Sequence, residues 1–527
     1  MKAHIVGGGF GGLAAAGYLI RNAGVSGRDI IIYEADERMG GGLSLSGGPQ
    51  SGYILPAGSV FDAEFRCTFD LLGSVPSTRD PTISVKEEFF TFNKQRPFND
   101  KARLIDRTGR IVHGPRFGLG LRDGFDLLWL MLTPEARLEG RRIDEFFSSK
   151  FFTTEFWLIY STIMGSLPQH SAAELRRYFN RTLHLFPDLS DMANILRTPI
   201  NQYEAFIVPL VDWLRKQAVN LQNRTFVTDI GVARLPGRIT VNRLDYERDG
   251  VPNSIEVARD DLVLVTFGSQ AADLAVGSMT EPVQPTRKGR SWEIWKRLAK
   301  EHREFGKPEV FFGEDRVSDS HWVTFTVTTT GTEFLDEMFA LTGSETGRGG
   351  LVSLIDSGWV LSLSIFHQPE IIGQPAGTHL WWGFGLFPER KGDFIKKRMD
   401  ECTGEEILEE VLRQLRLNGQ FDAIMQSSIC IPCDLPYANN IWLPRKSTDR
   451  PRPVPEGATN LGLFGQYVEV PQDVAFTIEY SARAAWEAIQ ILTGRGPAPP
   501  PVYQAQYDLK ALWAALKVFL FPEAAKP

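Results

Sequence analysis

Cysteine is scarce in this chain, and long apolar runs are absent. Only four cysteines occur in 527 residues, and Cys430 and Cys433 have neither a second pair nor a histidine cluster to complete a zinc site. We therefore expect buried thiols and no metal. No apolar stretch is long enough to span a bilayer. A first strand expected at about residue 3 leaves no room for a signal peptide. The predicted location is cytoplasmic, with peripheral membrane contact as an open alternative.

An excess of basic residues is absent as well. The formal net charge of -7 argues against nucleic acid as a partner. What remains is an ordinary composition for a globular protein, with 43% hydrophobic and 23% charged residues. A chain of this length is expected to form about two or three domains.

The first 34 residues have the pattern of a dinucleotide-binding unit. An apolar strand leads into G-x-G-x-x-G, formed by Gly7, Gly9 and Gly12, and a helix and a second strand follow. The three glycines permit, in turn, a tight turn, close approach to a pyrophosphate and close helix–strand packing. Glu34 ends the second strand, near the spacing of roughly 20 residues expected of an acid that binds a ribose hydroxyl. An acid there repels a 2′-phosphate, so FAD or NAD is favoured over NADP.

Further nucleotide-binding signals stand elsewhere in the chain. The apolar run 261–269 is typical of a buried parallel strand that meets a ligand at its carboxyl end. A glycine turn near residue 465 precedes a predicted helix over 473–493, whose N-terminus can face a pyrophosphate or a flavin. Together these signals favour FAD over NAD. The predicted cofactor-binding residues are Gly7, Gly9, Phe10, Gly12, Glu34, Arg38, Gly40, Gly41, Gly42, Ser59, Val60, Ser269, Gly465, Gln466 and Val468.

These signals predict an α/β fold, with a discontinuous Rossmann-type FAD-binding domain of the two-dinucleotide-binding kind, inserted substrate domains and a C-terminal helical region. Within the first insertion, residues 88–145 are expected to mix short strands with an apolar helix near 125–132. The predicted parts are the first FAD segment (1–85), a helical substrate insertion (86–230), return strands of the FAD domain (231–300), a mixed β/α substrate domain (301–455), the last FAD segment (456–494) and a C-terminal amphipathic helix (495–527).

The C-terminal segment Tyr507–Phe521 carries apolar residues at helical spacing. Two alternatives follow: a helix docked on the protein's own core, or an interfacial helix with Lys510 and Lys517 near lipid headgroups. The apolar positions are Leu509, Leu512, Trp513, Leu516, Phe519 and Leu520.

Several separated motifs, in one order, resemble those of a known family. The chain resembles the oleate hydratases, also called myosin-cross-reactive antigens, over nearly its whole length. The motifs are Cys67–Ser77, His170–Tyr178, Asn201–Glu204, Ser291–Arg297, Gly385–Pro388, Glu401–Glu406, Ile431–Cys433 and the Gly465–Gln466 block.

The resemblance implies an FAD-binding enzyme that adds water to a cis double bond of an unsaturated fatty acid, without net redox change. Such an addition needs an acid to protonate one carbon and a base to activate water at the other. In the family, a glutamate in the flavin-facing loop and a tyrosine in the substrate channel are the key residues. The expected ligand is therefore an unsaturated fatty acid or a related lipid.

The predicted reaction centre departs from the family pattern. Val60 stands where the family has its catalytic glutamate, and valine cannot move a proton. Asp62 and Glu64 are nearby replacement candidates, although both can instead be solvated or paired with Arg66. Tyr203 is the predicted proton donor, and a buried structural hydroxyl is the alternative.

The predicted substrate-binding residues depart as well. They are Asn201, Gln202, Ser364, Phe366, His367 and Glu370. In the family's carboxylate-binding motif, Phe366 replaces an asparagine and Glu370 replaces a histidine. We expect Glu370 to repel a ligand carboxylate unless His367 is charged or Ser364 donates a hydrogen bond.

Three functions compete at this point. The first is an FAD-dependent hydratase of an unsaturated fatty acid or related lipid. The second is an FAD-dependent double-bond isomerase or oxidoreductase acting on a lipid or terpenoid alkene, which fits the lost glutamate. The third is a non-catalytic flavin- and lipid-binding protein at a membrane surface. A homodimer is compatible with all three.

Overall fold

A five-stranded parallel sheet forms the first layer of the protein. The computed structural model describes residues 1–112, 115–235, 237–285 and 287–520. The first strand, β1 (Ala3–Val6), is fully buried and pairs in parallel with β2 (Ile30–Tyr33) and β10 (Leu262–Thr266). β17 (Leu461–Phe464) and β6 (Asn220–Gln222) complete the sheet in the order β17-β10-β1-β2-β6. This is the Rossmann-type layer that the sequence predicts.

Helix α1 (Phe10–Arg21) follows β1 directly, because Gly9 turns the chain and an alanine-rich run then buries its side chains. It packs against α13 (Ile478–Thr493), which covers the sheet from the C-terminal end of the chain. Apolar side chains of both helices join the main core.

A seven-stranded mixed sheet forms a second layer, in the order β11-β16-β12-β15-β14-β13-β5. Its central strand β12 (Trp322–Thr330) is antiparallel to β15 (Thr378–Gly385) and β16 (Ser428–Leu435). Hydroxyl groups of β12 hold β4 (Gly52–Ile54) and the residues that follow it. The Tyr53 and Leu55 amides donate to threonine hydroxyls at 2.9 Å, and the hydroxyl of Thr324 donates to the Pro56 carbonyl at 2.7 Å. These bonds fix the start of the loop that comprises residues 57–62.

The other elements fill the space around the two large sheets. The remaining strands are β3 (Ser46–Gly48), β5 (Leu104–Ile105), β7 (Thr225–Leu235), β8 (Arg238–Arg248), β9 (Val251–Glu256), β11 (Ala275–Val276), β13 (Val352–Leu354) and β14 (Leu361–Ile365). The remaining helices are α2 (Arg66–Leu72), α3 (Val85–Gln95), α4 (Leu121–Leu132), α5 (Glu155–Met164), α6 (Ala172–Thr182), a π-helix (Tyr203–Ile207), α7 (Val208–Lys216), α8 (Glu293–Glu301), α9 (Glu314–Val317), α10 (Glu333–Thr342), α11 (Gly404–Gln414), α12 (Phe421–Ser427) and α14 (Leu509–Leu520).

The predicted mixture of short strands over 88–145 is wrong for most of that range. Within its described residues the only strand is β5, and α3 and α4 dominate. Helix α3 forms because Ser84 and Glu87 make a reciprocal capping box at its start. β6 lies in the Rossmann-type layer although the predicted helical insertion contains it. The domain boundaries themselves stay predictions.

Two helices expose apolar faces to solvent. On α4, five large apolar side chains are exposed, with values of 82% for Leu121 and 67% for Trp129; the others are Phe125, Leu128 and Leu132. On α14 the exposed apolar side chains are Leu509, Leu512, Trp513 and Leu516. Helix α14 packs on the 3-10 turn Leu183–Asp188, and it also contacts the turn Pro115–Gly118 that leads into α4.

Neither of these helices crosses a bilayer, since no helix in the described part of the chain combines the necessary length and apolarity. The C-terminal prediction extends to Phe521, which lies outside the described residues, as do the side chains of Phe519 and Leu520.

Candidate functional site

A cleft lies at the carboxyl ends of β1, β10 and β17, where a Rossmann-type sheet binds its ligand. Gly7 has a φ of 105°, which favours glycine. A Cβ on Gly12 would lie 1.9 Å from the Gly7 carbonyl oxygen, so a side chain there cannot fit. The roles predicted for these two glycines agree with this geometry.

Two glycine-rich loops form the floor of this cleft. The Gly40 amide donates to the Gly8 carbonyl at 2.9 Å, and Gly9 pairs with Gly40 as a bridge. A Cβ built on Gly9 would meet only backbone, with Gly41 Cα nearest at 3.8 Å. The floor is therefore bare backbone beside the N-terminus of α1, which is the cradle that a pyrophosphate needs.

Glu34 lies in the same cleft and is buried. One of its carboxylate oxygens accepts a hydrogen bond from the Gly8 amide at 2.7 Å, and the other accepts from the Asp36 amide at 2.9 Å. Burial raises the pKa of Glu34 and outweighs these bonds. The acid thus braces the glycine turn at the position predicted for ribose binding, and its contact with a ribose stays a prediction.

The structure brings most of the other predicted cofactor residues to this cleft, but not all of them. Arg38 is exposed and lies outside the lining, and Val468 is fully buried with its carbonyl bonded to Tyr480. Val60 lines a second cavity instead. The predicted residues that line the cleft are Gly7, Gly9, Phe10, Gly12, Glu34, Gly40, Gly41, Gly42, Ser59, Ser269, Gly465 and Gln466.

The second cavity is lined mainly by apolar side chains and adjoins the cleft. The residues shared by the two linings are Leu43, Ala57, Gly58, Ser59, Trp322, Trp382, Phe476 and Thr477. A ligand in this cavity, which we call the apolar cavity, therefore meets a dinucleotide in the cleft at the loop 57–59.

Tyr203 stands where the cleft and the apolar cavity meet. It begins the π-helix, a distortion common at functional sites, and its ring lies beside Gly40 of the cleft. The side-chain amide of the preceding residue, Gln202, donates to the Ser59 carbonyl at 2.5 Å. Phe61 in the same loop pairs with Leu196 through two backbone hydrogen bonds. Tyr203 and the loop that carries Val60 are thus fixed to each other.

Of the two replacement acids, only Asp62 reaches the apolar cavity. Its carboxylate accepts hydrogen bonds from Arg181 at 3.2 Å and from His184 at 3.1 Å. Burial favours the neutral acid, but the His184 hydrogen bond and the nearby charges outweigh it and lower the pKa of Asp62. Asp62 is therefore a carboxylate at neutral pH. Glu64 lies outside the lining and pairs with Arg66, as the alternative interpretation has it.

The predicted substrate-binding residues lie together at the apolar cavity: Asn201, Gln202, Ser364, Phe366, His367 and Glu370. The Asn201 side chain donates to the Glu370 carbonyl at 2.9 Å, and the Ser364 hydroxyl donates to the Gly350 carbonyl at 3.1 Å. Burial and the nearby Glu204 raise the pKa of Glu370 well above its usual range. This shift favours the neutral form of Glu370, and the expected repulsion of a ligand carboxylate stays a prediction.

The sequence-based prediction missed Arg197, which lines the apolar cavity near His367 and Glu370. Its one signal in the sequence is its place four residues before the Asn201–Glu204 motif that resembles the family. Its cationic side chain brings positive charge to an end of the cavity where the sequence suggests only polar and acidic groups.

The chain is similar to two hydratases over nearly its full length. The model of the MCRA family matches residues 1–490. The oleate hydratase of Streptococcus pyogenes serotype M49 (strain NZ131) is 33% identical over 531 residues, which cover 99% of this chain and 89% of that protein. The linoleate hydratase of Lactiplantibacillus plantarum is 28% identical over 527 residues, which cover 92% of each.

Among solved structures, cyclohexylamine oxidase from Brevibacterium oxydans IH-35A superposes with a TM-score of 0.55 at 14% identity. The match covers 94% of this chain and 98% of that chain. A likeness at this identity shows the fold alone, and it agrees with the parallel sheet of the first layer. The predicted Rossmann-type α/β class is confirmed.

Proposed function

The chain belongs to the MCRA family, and on that basis we propose that it is an FAD-binding carbon–oxygen lyase that hydrates the double bond of an unsaturated fatty acid. Two relatives named as hydratases of oleate and linoleate support the reaction class. The observation that carries the proposal is the position of Tyr203 between the dinucleotide cleft and the apolar cavity.

The cleft residues fit FAD. The glycine floor beside α1 would hold the pyrophosphate, and Glu34 would face the ribose. Thr477, which caps α13, lines both cavities and would lie toward the flavin end. When bound, FAD supplies an electron-rich ring that can stabilise positive charge developing in a neighbouring alkene.

The side chains at the apolar cavity can supply both halves of water addition. Tyr203 donates a proton to one alkene carbon, and Asp62 orients a water molecule whose oxygen bonds to the other carbon. That water then loses a proton, which restores the tyrosine through solvent, so no electrons are gained or lost overall. Asp62 replaces the family glutamate from a position two residues beyond Val60.

Incubation of the FAD-loaded protein with oleate in water enriched in oxygen-18 tests the proposal. We expect a hydroxy fatty acid that carries one labelled oxygen, detected by mass spectrometry. A shifted double bond without added oxygen would instead identify an isomerase. Tight binding of oleate and linoleate without any product would contradict the enzymatic assignment.

Matched variants of Asp62 and Glu64 test whether Asp62 takes part in the reaction or only contributes negative charge to the loop. We expect Asp62→Asn to lower labelled product at least about tenfold, because a neutral amide lacks the negative charge that orients and polarises the attacking water. Glu64→Gln removes a carboxylate two residues away that pairs with Arg66 and lies outside the lining of the apolar cavity, and it is expected to retain activity. Equal activity of the two variants would exclude Asp62 from the reaction.

A double-bond isomerase is the second candidate, and one observation favours it. Val60 lines the apolar cavity where the family has a glutamate, and its side chain is 38% exposed. Without an activated water, an alkene that Tyr203 protonates at one carbon can return a proton to the tyrosinate from the carbon next to the resulting cation, which shifts the double bond with no net change in protons. The oxygen-18 measurement distinguishes this outcome directly.

We infer that the exposed apolar faces of α4 and α14 dock on an anionic lipid bilayer. Both faces carry a tryptophan among aliphatic side chains, and exposed Arg122, Lys510 and Lys517 flank them. An amphipathic helix with basic residues beside a Trp/Leu face is typical of interfacial binding. The two helices are neighbours through the turn that precedes α4.

Cosedimentation with vesicles tests this docking. Phe125→Asp combined with Trp129→Asp is expected to lower the vesicle-bound fraction about tenfold on phosphatidylglycerol vesicles, because each charge opposes insertion of the α4 face. Leu128 and Leu132 stay unchanged, and Val251→Asp on the exposed strand β9 is the control. If the double variant instead dissociates a dimer and binds vesicles normally, the face is a contact between two copies of the chain.

A further inference from the structure

Two side chains from one stretch of chain hold the Asp62 carboxylate. Arg181 lies in the last turn of α6, and His184 follows three residues later in the 3-10 turn Leu183–Asp188. Residues three apart lie on the same side of a helix, so both side chains reach the loop that carries Asp62. Arg181 also donates to the Glu64 carbonyl at 3.0 Å, which fixes the loop just beyond Asp62.

These contacts leave the Asp62 carboxylate with one open acceptor position. A carboxylate can accept about four hydrogen bonds, two at each oxygen. Oδ1 accepts from His184 Nε2 at 3.1 Å and from the Glu64 amide at 3.0 Å, whereas Oδ2 accepts from Arg181 at 3.2 Å. Within the described part of the chain, these donors leave the second position on Oδ2 open. Asp62 lines the apolar cavity, where a water molecule can take that position.

His184 contacts the carboxylate from outside the apolar cavity. Its side chain is 21% exposed and does not line the cavity. Because a carboxylate only accepts hydrogen bonds, the imidazole donates from Nε2. The Tyr503 ring packs edge-on against the imidazole, with 5.1 Å between the ring centroids. A change at His184 can therefore act on Asp62 without altering the surface that a substrate contacts.

His184 also favours the charged form of Asp62. Burial raises the pKa of Asp62, but the hydrogen bond from His184, its charge and that of Arg181 together hold this pKa below its ordinary value. Loss of the His184 donor is therefore expected to raise the pKa of Asp62. The other titratable groups around this pair are Glu64, Arg66, Asp473, Tyr503 and Asp508.

We propose that His184 is a positioning residue for hydration, which orients the Asp62 carboxylate so that its one open acceptor position receives the attacking water. The inference rests on the proposed function, because it takes Asp62 to be the group that orients this water. His184 acts through Asp62 and lies outside the linings of both the cleft and the apolar cavity. Its removal is therefore expected to lower turnover while substrate affinity is kept.

Steady-state hydration of oleate by the FAD-loaded His184→Leu and His184→Gln proteins tests the proposal. Leucine has no donor, and it is expected to lower kcat at least about tenfold at neutral pH with KM for oleate within about twofold of wild type. Glutamine keeps a donor and is expected to retain at least about half of the wild-type kcat. If the leucine variant does not fold, a glutamine variant with less than about a tenth of the wild-type kcat would overturn the proposal.

The pH dependence of kcat separates positioning of Asp62 from a general structural effect. The reaction requires the carboxylate, so activity is lost as the pH falls through the pKa of Asp62. Because His184→Leu raises this pKa, the acid limb of its kcat profile is expected to lie at least about one pH unit above that of wild type. An acid limb that does not move would contradict the proposal.

Two further variants serve as controls. His302 is also partly exposed, packs edge-on against Phe305 at 6.1 Å and lines neither the cleft nor the apolar cavity. His302→Leu is expected to leave kcat and its pH profile unchanged. In the Asp62→Asn protein, His184→Leu should change the residual rate less than about twofold, because the group through which it acts is gone. A full further loss in that background would overturn the proposal.

NMR of protein labelled with carbon-13 at the aspartate Cγ separates failure of this proposal from failure of the proposed function. The signal that Asp62→Asn lacks gives the pKa of Asp62 without substrate, and this pKa is expected to be higher in His184→Leu. A higher pKa without any hydroxylated product in the wild-type protein would remove the hydratase assignment while supporting the control of Asp62 by His184. Hydroxylated product together with a pKa and a kcat that His184→Leu leaves unchanged would retain the hydratase and remove the positioning role.

Discussion

Replacement of Tyr203 by phenylalanine is expected to lower the rate of fatty-acid hydration about 10²- to 10⁴-fold, the range typical of a positioned general acid. Phenylalanine keeps the ring against Gly40 and removes only the hydroxyl group. Oleate affinity and FAD content should therefore remain near wild-type values. The measurement is the initial rate of hydroxy fatty acid formation at saturating oleate, together with the flavin absorbance of the purified protein.

A second tyrosine provides the control for this prediction. Tyr246 lies on β8 and lines neither the cleft nor the apolar cavity, and phenylalanine keeps its ring contact with Tyr33. Tyr246→Phe is expected to keep full activity. A Tyr203→Phe protein that hydrates oleate at the wild-type rate would remove the hydroxyl from the mechanism. A rate that falls only in proportion to lost FAD would make Tyr203 a structural residue.

Gly9→Glu is expected to yield folded protein that does not bind FAD. The position accepts a Cβ, because the nearest atom would lie 3.8 Å away on bare backbone. A carboxylate there, however, would occupy the floor of the cleft and repel a pyrophosphate. We expect flavin content below about a tenth of wild type, measured by absorbance after denaturation, and a lower melting temperature because bound ligand stabilises the native state.

Gly9→Ala separates charge from size at the same position. Alanine adds only the Cβ that the backbone accepts, so most of the flavin should remain bound. Stoichiometric FAD in the glutamate variant would contradict the cofactor assignment. Equal loss in both variants would show that the floor tolerates no side chain at all, and it would leave the charge argument without support.

The first layer of the fold was predictable because its signals are local. The roles of Gly7 and Gly12 depend on backbone atoms only a few residues away. The spacing of the motif was therefore enough to predict the tight turn at Gly7 and the close packing at Gly12. Spacing does not say which way a side chain faces. Arg38 and Val468 follow motifs correctly in sequence, yet one points to solvent and the other into the core.

The reaction centre was harder to predict because it depends on contacts distant in sequence. Asp62 and Glu64 are equivalent in the sequence, and they are distinguished by the hydrogen bonds that the Asp62 carboxylate accepts from Arg181 and His184. Arg197 follows no pattern of its own, and its place in the lining of the apolar cavity becomes visible once the fold is known. Helical spacing reveals the apolar face of α4, but spacing cannot show that this face points outward, since a buried face has the same period.

The hydrogen bonds that hold the loop before α2 determine which of its residues can be substituted without loss of the fold. Threonine hydroxyls of β12, the Gln202 amide and the backbone of Leu196 hold the loop by its peptide groups at Tyr53, Leu55, Pro56, Ser59 and Phe61. None of these contacts uses a side chain between residues 57 and 60. Substitutions at those four positions therefore leave the loop's course intact, and evolution is free to exchange an acid for a valine at position 60 without unfolding the scaffold. Substitutions at these four positions can therefore change the groups that face the cavity while the folded state stays nearly as stable.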